Sequence, residues 1–389
     1  MKKQIGVIFG GQSVEHEISI ITALQAIENI DQDKYSIIPI YISKKGTWFT
    51  NDAFYDVEIF KDFKRVETES TSVHLINIEN KFYLKSINTK LFKKGYSQEL
   101  DLVMPIVHGT SVEDGTLTGY LETIGIPFTG PSVTSGVVGQ DKAVMKDILK
   151  ANNISQVDYL WFYESDSIDF QVETIKKSLG LPVIVKPATL GSSVAISIAN
   201  DEVALRASLE SAYDYCHKVV IEKLLVDFKE VNISVLGSYD EIFLSKTELV
   251  SKDEDFLSYE DKYMSGGKKG AKAKQTSSGM ASLTRIIPAP VSEEEQKQIT
   301  DIATAAFRTL NCESVIRIDL MIKDGVVFLN EVNNIPGSLA FYLWEETDLE
   351  YKQLLNNIID LGVKKYFKKQ KTVNTIDTNV LNMKGSKGK

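Results

Sequence analysis

Only two cysteines occur in 389 residues, Cys216 and Cys312, so the chain has no disulfide framework and no thiol cluster with metal-ligand spacing. Both are expected in the core. No stretch reaches the ~18 apolar residues of a membrane span, and a strand pattern begins almost at the first residue. Basic residues are outnumbered, 44 against 53 acidic, and the net charge of −9 argues against general nucleic-acid or membrane-surface binding. There is no internal repeat and no Walker-type phosphate loop. What is present is a globular composition, 43% hydrophobic and 25% charged, for which a cytoplasmic location is the default expectation.

The length is too great for one ordinary core, so several domains are expected. The first third alternates strand and helix: Gln4–Phe9, a turn at Gly10-Gly11, and a helix with Ser13 as N-cap and Ile20, Leu24 and Ile27 on one face. Strands at Ser36–Ser43 and Leu102–Val107 complete a small, mainly parallel α/β domain, residues 1–135, with a less regular insertion from Trp48 to Tyr96. A second unit, 136–222, contains the strands Pro182–Lys186 and Val219–Glu222. A third, 223–367, ends on a helix carrying Leu354, Ile358, Ile359 and Val363. Residues 368–389 read as a disordered polar tail.

The segment Val315–Asn333 carries the strongest chemical signal. Ile316, Ile318, Leu320 and Ile322 alternate with Arg317, Asp319 and Met321, and a second apolar run ends in Asn330-Glu331-Val332-Asn333. With a three-residue loop containing a left-handed Gly325, Arg317, Asp319, Glu331 and Asn333 share one face; a two-residue turn would separate them. Two carboxylates, an amide oxygen and an arginine on one face suit magnesium and phosphate, against the alternative of a solvated hairpin face. Elsewhere, Lys186 ends an apolar strand and is followed by Gly191-Ser192-Ser193, a loop whose N–H groups can wrap phosphate, or a plain turn. Lys142 adds charge for the same phosphates. Glu222-Lys223-Leu-Leu225 ends another strand and can hold a purine, with Glu230 placed for ribose hydroxyls; solvated charge is the alternative.

Taken in order, these pieces resemble the ATP-grasp ligases, and within them the D-alanine–D-alanine ligases. Two further motifs narrow the resemblance: Gly10-Gly11-Gln-Ser13-Val-Glu15-His16-Glu17-Ile-Ser19, and Phe256-Leu-Ser-Tyr259-Glu-Asp-Lys262-Tyr263, similar to a loop that closes over the active site. The resemblance implies an ATP-grasp fold behind the N-terminal α/β domain, and ligation of two D-alanines for peptidoglycan precursors. It also implies ATP and two magnesium or manganese ions, small amino-acid substrates, and a homodimer as the common family assembly. It assigns Glu15 to the first substrate's amine, with Ser192 and Tyr263 completing a triad. Lys142, Lys186, Ser193, Glu222, Lys223, Leu225, Glu230 and Lys262 would bind ATP. Asp319, Glu331 and Asn333 would hold metal, and Arg317 with the Gly337 backbone would stabilise an oxyanion.

The second-substrate pocket, assigned to His108, Ser338, Tyr342 and Leu343, departs from the family. Val112 stands where glycine is usual, Thr118 where glutamine is, and Tyr342 where a serine holds the second carboxylate. A bulky phenol there reshapes the pocket, and a paralogous ligase joining D-alanine to a different amino or hydroxy acid is the alternative reading. The long stretch Met264–Arg285, with Lys268, Lys269, Lys272 and Lys274, reads either as a solvated insertion or as a contact for a more acidic second substrate. His108 reads as a substrate contact or a strand-end hydrogen bond, and His16 as a first-substrate neighbour or a helix cap.

Overall fold

Strand β1 (Lys3–Gly10) is buried continuously from Ile5 onward, as a strand covered on both faces must be. It pairs in parallel with β2 (Tyr35–Ile42) and β7 (Leu102–Pro105), and helix α1 (His16–Asn29) packs against it. The computed structural model describes residues 2–87, 95–191, 194–250 and 286–378. The first sheet has the order β6-β5-β4-β3-β2-β1-β7. Here β3 (Trp48–Thr50), β4 (Thr71–Ile78), β5 (Lys81–Ser86) and β6 (Ser97–Leu100) form an antiparallel meander, with α2 (Phe63–Glu69) before β4. The mainly parallel sheet expected from the sequence is therefore mixed. From β2 to β6 each strand pairs antiparallel with the next along the chain, so this half of the sheet reverses at every strand. Ser13 also differs from expectation. The α1 N-cap is Glu15, and Ser13 Oγ instead donates to the His108 carbonyl (2.6 Å) while accepting from Glu15 N–H (3.0 Å), pinning the turn.

Helices α3 (Thr116–Ile124), α4 (Val133–Gln140) and α5 (Lys142–Ala151) lead into the second sheet, ordered β10-β9-β11-β8. Its members are β8 (Tyr159–Tyr163), β9 (Val183–Pro187), β10 (Ser197–Ala199) and β11 (Lys218–Lys223), with α6 (Ile168–Ser178) and α7 (Glu202–Tyr213) supplying Val172, Ile175, Leu205 and Leu209 to its core. The third sheet, β13-β12-β14-β15, comprises β12 (Lys229–Gly237), β13 (Ile242–Leu249), β14 (Ser314–Lys323) and β15 (Val326–Asn333). Helix α8 (Glu293–Thr309), started by a Ser292/Glu295 capping box, packs Ile299, Ala303 and Phe307 onto it, joined by Met145 and Leu149 of α5. Each such fully buried large side chain contributes roughly 1.5–3 kcal/mol.

After β15 come the short helix α9 (Tyr342–Glu345) and α10 (Tyr351–Gln370). Leu354, Leu355, Ile358 and Ile359 of α10 return to the core of the first sheet, so the last helix closes the chain on its beginning. Among the described residues no helix is long and apolar enough to cross a membrane.

Candidate functional site

The β14–β15 hairpin reaches the expected face by an unexpected route. Its turn has two residues, Asp324-Gly325, both at positive φ (51° and 77°), the left-handed pair that a tight hairpin favours. That turn alone would put Arg317 and Asp319 opposite the wrong partners. A bulge at Asn330 corrects it: Leu320 faces Leu329, but Asp319 faces Glu331 and Arg317 faces Asn333. The inserted Asn330 gains a function of its own, its Oδ1 accepting from Lys186 Nζ (3.3 Å).

On this face Arg317 grips Asp319 in a fork, Nε to Oδ1 at 2.7 Å and Nη2 to Oδ2 at 3.0 Å, while Asn333 Nδ2 donates to Asp319 Oδ2 (3.0 Å). Burial opposes the Arg317 charge, but Asp319, then Tyr342 and Glu248, outweigh it and raise its pKa well above the usual arginine range. Lys142 Nζ lies 3.0 Å from Glu331 Oε1 and donates to the Leu190 carbonyl (2.8 Å). Burial would push Glu331 up, yet Lys142, Lys186 and Arg317 hold it below the ordinary carboxylate range. Among the described residues there is no cluster of three His, Cys, Asp or Glu side chains. The set Asp319, Glu331 and Asn333 is nevertheless all hard oxygen on one face, with two carboxylates, and it fits magnesium or manganese whose remaining positions would be filled by phosphate oxygens.

Behind that face lies a buried charge triad. Glu222, 2% exposed, places Oε2 at 2.9 Å from Lys186 Nζ and Oε1 at 3.1 Å from Lys146 Nζ. Burial alone would raise Glu222; Lys146 and Lys186 outweigh it and hold the carboxylate at about 2. Burial depresses the Lys146 ammonium even with Glu222 beside it. Lys146 was not among the residues picked from the sequence, although it lies one helical turn from Lys142 on the same face of α5. Lys223 is exposed, and Leu225 and Glu230 are half-buried near the same strand end.

Glu15 enters from the first sheet's loops. A Cβ on Gly191 would sit 2.8 Å from Glu15 Oε2 and one on Gly109 3.0 Å away, so two backbone segments close on this carboxylate. Next to it, Glu113 accepts from Gly109 N–H (2.9 Å) and Ile335 N–H (3.0 Å). Burial and then the Glu15 charge push Glu113 up to about 8. Because the folded value lies above that of a free carboxylate, Glu113 favours folding at low pH and that contribution is lost as pH rises toward about 8. Urea unfolding at a series of pH values is expected to show the wild type losing stability relative to E113Q over that interval. A difference that stays flat with pH would contradict it.

His108 ends the β7 segment buried, its Nε2 3.3 Å from Thr22 Oγ1, and burial lowers its pKa to about 4. His16 does not cap its helix: Nδ1 meets the Gly11 carbonyl (2.6 Å) and Nε2 the Tyr41 hydroxyl (3.0 Å) inside the first core. The chain after Asn333 makes an unusual turn. Ser338, Leu339 and Ala340 follow one another at φ of 53°, 52° and 51°, a left-handed run costing about 1–2 kcal/mol per residue. Ser338 and Leu343 are buried, and Tyr342, 6% exposed, packs beside Ala340, Leu343 and Phe341 close to Arg317. Trp344 Nε1 donates to Ser234 Oγ (3.0 Å), fixing α9 to β12. No described residue accepts the N–H of Gly337, which is half-buried.

Glu15, Lys142, Lys186, Glu222, Arg317, Asp319, Glu331, Asn333 and the Gly337–Leu343 segment thus converge from three sheets. Ser192, Ser193, Lys262, Tyr263 and the lysine-bearing stretch Met264–Arg285 lie outside the described residues. Sequence reading missed Lys146, Asn330, Glu113 as a clamp, and Thr22. Only Lys146 has a local signal.

Comparison with known proteins points the same way. Residues 4–131 match the family D-ala D-ala ligase N-terminus and residues 148–360 the family D-ala D-ala ligase C-terminus. The chain is 38% identical over 384 residues to the D-alanine–D-alanine ligase of Thermosipho melanesiensis, covering 98% of this chain and 99% of that relative. It is 34% identical to that of Bacillus cytotoxicus, over 96% and 99%. Among solved structures, the D-alanine–D-alanine ligase from Coxiella burnetii superposes with a TM-score of 0.77 at 27% identity, over 95% of this chain and 98% of that one. The VanG D-Ala:D-Ser ligase from Enterococcus faecalis does so with 0.75 at 27%, over 93% and 100%.

Proposed function

The chain belongs to the D-ala D-ala ligase family and has its ATP-grasp fold, and on that premise we propose that it joins two D-alanines to D-alanyl-D-alanine at the expense of ATP. The observation that supports this most is the convergence on one hairpin face of Arg317, Asp319, Glu331 and Asn333, with Lys142 and Lys186 beside them.

A carboxylate resists attack by an amine because oxide would have to leave. Transfer of the γ-phosphoryl group from ATP to a carboxylate oxygen of the first D-alanine, with ADP leaving, gives an acyl phosphate. The amine of the second D-alanine then attacks the carbonyl carbon, phosphate departs with the C–O bond, and the nitrogen loses a proton. In this reading Glu15 holds the first amine as a carboxylate between Gly109 and Gly191. Lys142 and Lys186 offset the repulsion between carboxylate and triphosphate. The strand end at Glu222 holds the adenine through its backbone, while Lys223, Leu225 and Glu230 line the nucleotide. Arg317 and the Gly337 N–H face the tetrahedral oxyanion. Asp319, Glu331 and Asn333 would hold magnesium or manganese, which supplies charge neutralisation for the phosphates when bound. Ser192, Ser193, Lys262 and Tyr263 keep the roles the family resemblance implies. We also place the reaction in the cytoplasm and take a homodimer as the working assembly.

A second reading rests on Tyr342, buried close to Arg317 in the pocket for the second substrate. It makes the enzyme a ligase of D-alanine with a different amino or hydroxy acid. Phosphate release from ATP and magnesium, with D-alanine alone and then with D-serine or D-lactate added, separates the two. Turnover with D-alanine alone, yielding the dipeptide by mass spectrometry, is the expected result. Turnover only with a mixed pair favours the second reading, and silence with every pair overturns both.

A further inference from the structure

The left-handed run Ser338–Ala340 is strained, and such a conformation persists only where its surroundings over-determine it. The anchors are few and buried. Asn334 exchanges two hydrogen bonds with Ser135, accepting from Oγ (2.7 Å) and donating to its carbonyl (2.9 Å). Ile335 N–H is held by Glu113, and Ser338 N–H by Thr22 Oγ1 (3.1 Å). These partners lie on α4, on the loop after β7 and on α1, and α1 packs directly on the turn.

Thr22, 1% exposed, is the anchor that also touches His108. A hydroxyl has one hydrogen and two lone pairs. Thr22 Oγ1 accepts from Ser338 N–H, which leaves its own hydrogen available to the ring nitrogen facing it, His108 Nε2. The Ile335 backbone is a further hydrogen-bond partner of the ring, so with Nε2 accepting from Thr22 the ring hydrogen sits on Nδ1. Both ends of the chain Ser338–Thr22–His108–Ile335 therefore land on the same turn. The nucleotide-side groups Lys142, Lys146, Lys186 and Glu222 hydrogen-bond to none of these four residues.

We propose that Thr22 is a positioning residue for the second half of the ligation, acting through His108 and Ser338 to hold the turn that presents the Gly337 N–H and the acceptor pocket. The inference rests on the ligase reading above and deepens it: formation of the acyl phosphate does not need Thr22, whereas attack by the acceptor amine does. T22V keeps the side chain's shape and removes the oxygen, leaving Ser338 N–H and His108 Nε2 without their partner. T22S keeps the oxygen.

The test compares full-length wild type, T22V, T22S and H108Q. Phosphate release is measured against ATP and against D-alanine, and the first step is followed separately by positional isotope exchange in oxygen-18-labelled ATP with D-alanine present. T22V and H108Q are expected to lower kcat on the order of 10²-fold, as misplacement of a reacting geometry does. The KM for the second D-alanine should rise, while ATP KM and isotope exchange stay within about twofold. T22S should restore the rate. Nitrogen-15 NMR of wild-type His108 should show the hydrogen on Nδ1, a readout independent of activity and of whether T22V folds.

An Nε2–H tautomer, a T22V enzyme indistinguishable from wild type, or isotope exchange falling in step with ligation would each overturn the proposal. A wild type inactive with D-alanine and with every mixed pair would sink the ligase reading and, with it, the assignment to the second step. An active wild type with an indifferent T22V sinks only the role of Thr22.

Discussion

Arg317→Lys is expected to lower kcat by about 10²–10³-fold, the usual loss when one oxyanion donor is removed, with ATP KM and folding little changed. The reason is geometric. Arg317 spans both oxygens of Asp319 at 2.7 and 3.0 Å and lies near Glu248 and Tyr342, so its plane is fixed before substrate arrives. A lysine keeps the positive charge that Asp319 needs, and therefore keeps the hairpin folded, but a single ammonium cannot hold Asp319 in a fork while facing an oxyanion. Steady-state kinetics and a thermal melt on the same preparation check both halves. A loss below about fivefold in kcat would remove Arg317 from the oxyanion role and leave it a structural partner of Asp319.

Glu222→Gln should have its largest effect on stability, a loss of roughly 3–5 kcal/mol, because it strands two buried ammoniums without their counterion. Lys146 is 1% exposed and its only anionic partner within ion-pair distance among the described residues is Glu222. The pH dependence has a definite sign. The folded Glu222 titrates at about 2, below the value of 4.5 for a free glutamate, so its stabilisation is present above the latter and disappears as pH falls toward the former. Urea denaturation should therefore show a gap between wild type and E222Q that is constant near neutrality and narrows in acid. Adding K146M to E222Q should recover part of the loss, since one unpaired charge goes with it. A gap under about 1 kcal/mol at neutral pH would mean that water or relaxation already screens the triad.

These two predictions divide between what a linear reading finds and what it cannot. Arg317, Asp319, Glu331 and Asn333 were legible because apolar alternation marks strands, and polar residues interrupting such strands stand out. Their shared face was anticipated on the wrong turn. Two residues close the hairpin, and Asn330, whose bulge restores the pairing, has no local signature, since a bulge depends on what the partner strand offers. The charged strand ends Lys186 and Glu222 were equally visible, but Lys146 joins them only because α5 packs across a strand more than 70 residues later in the chain.

By itself, then, the sequence determined the kind of elements, the order of the site residues along them and the family to which they belong, because hydrophobic period and strand-end chemistry are local properties. The tertiary structure alone decided which buried groups meet. Thr22 and Ser338 are 316 positions apart, and Ser135 and Asn334 are 199. Nothing within a few residues of either partner favours the contact. A left-handed turn of three non-glycine residues is unfavourable locally, and it exists here because anchors from three other elements hold it.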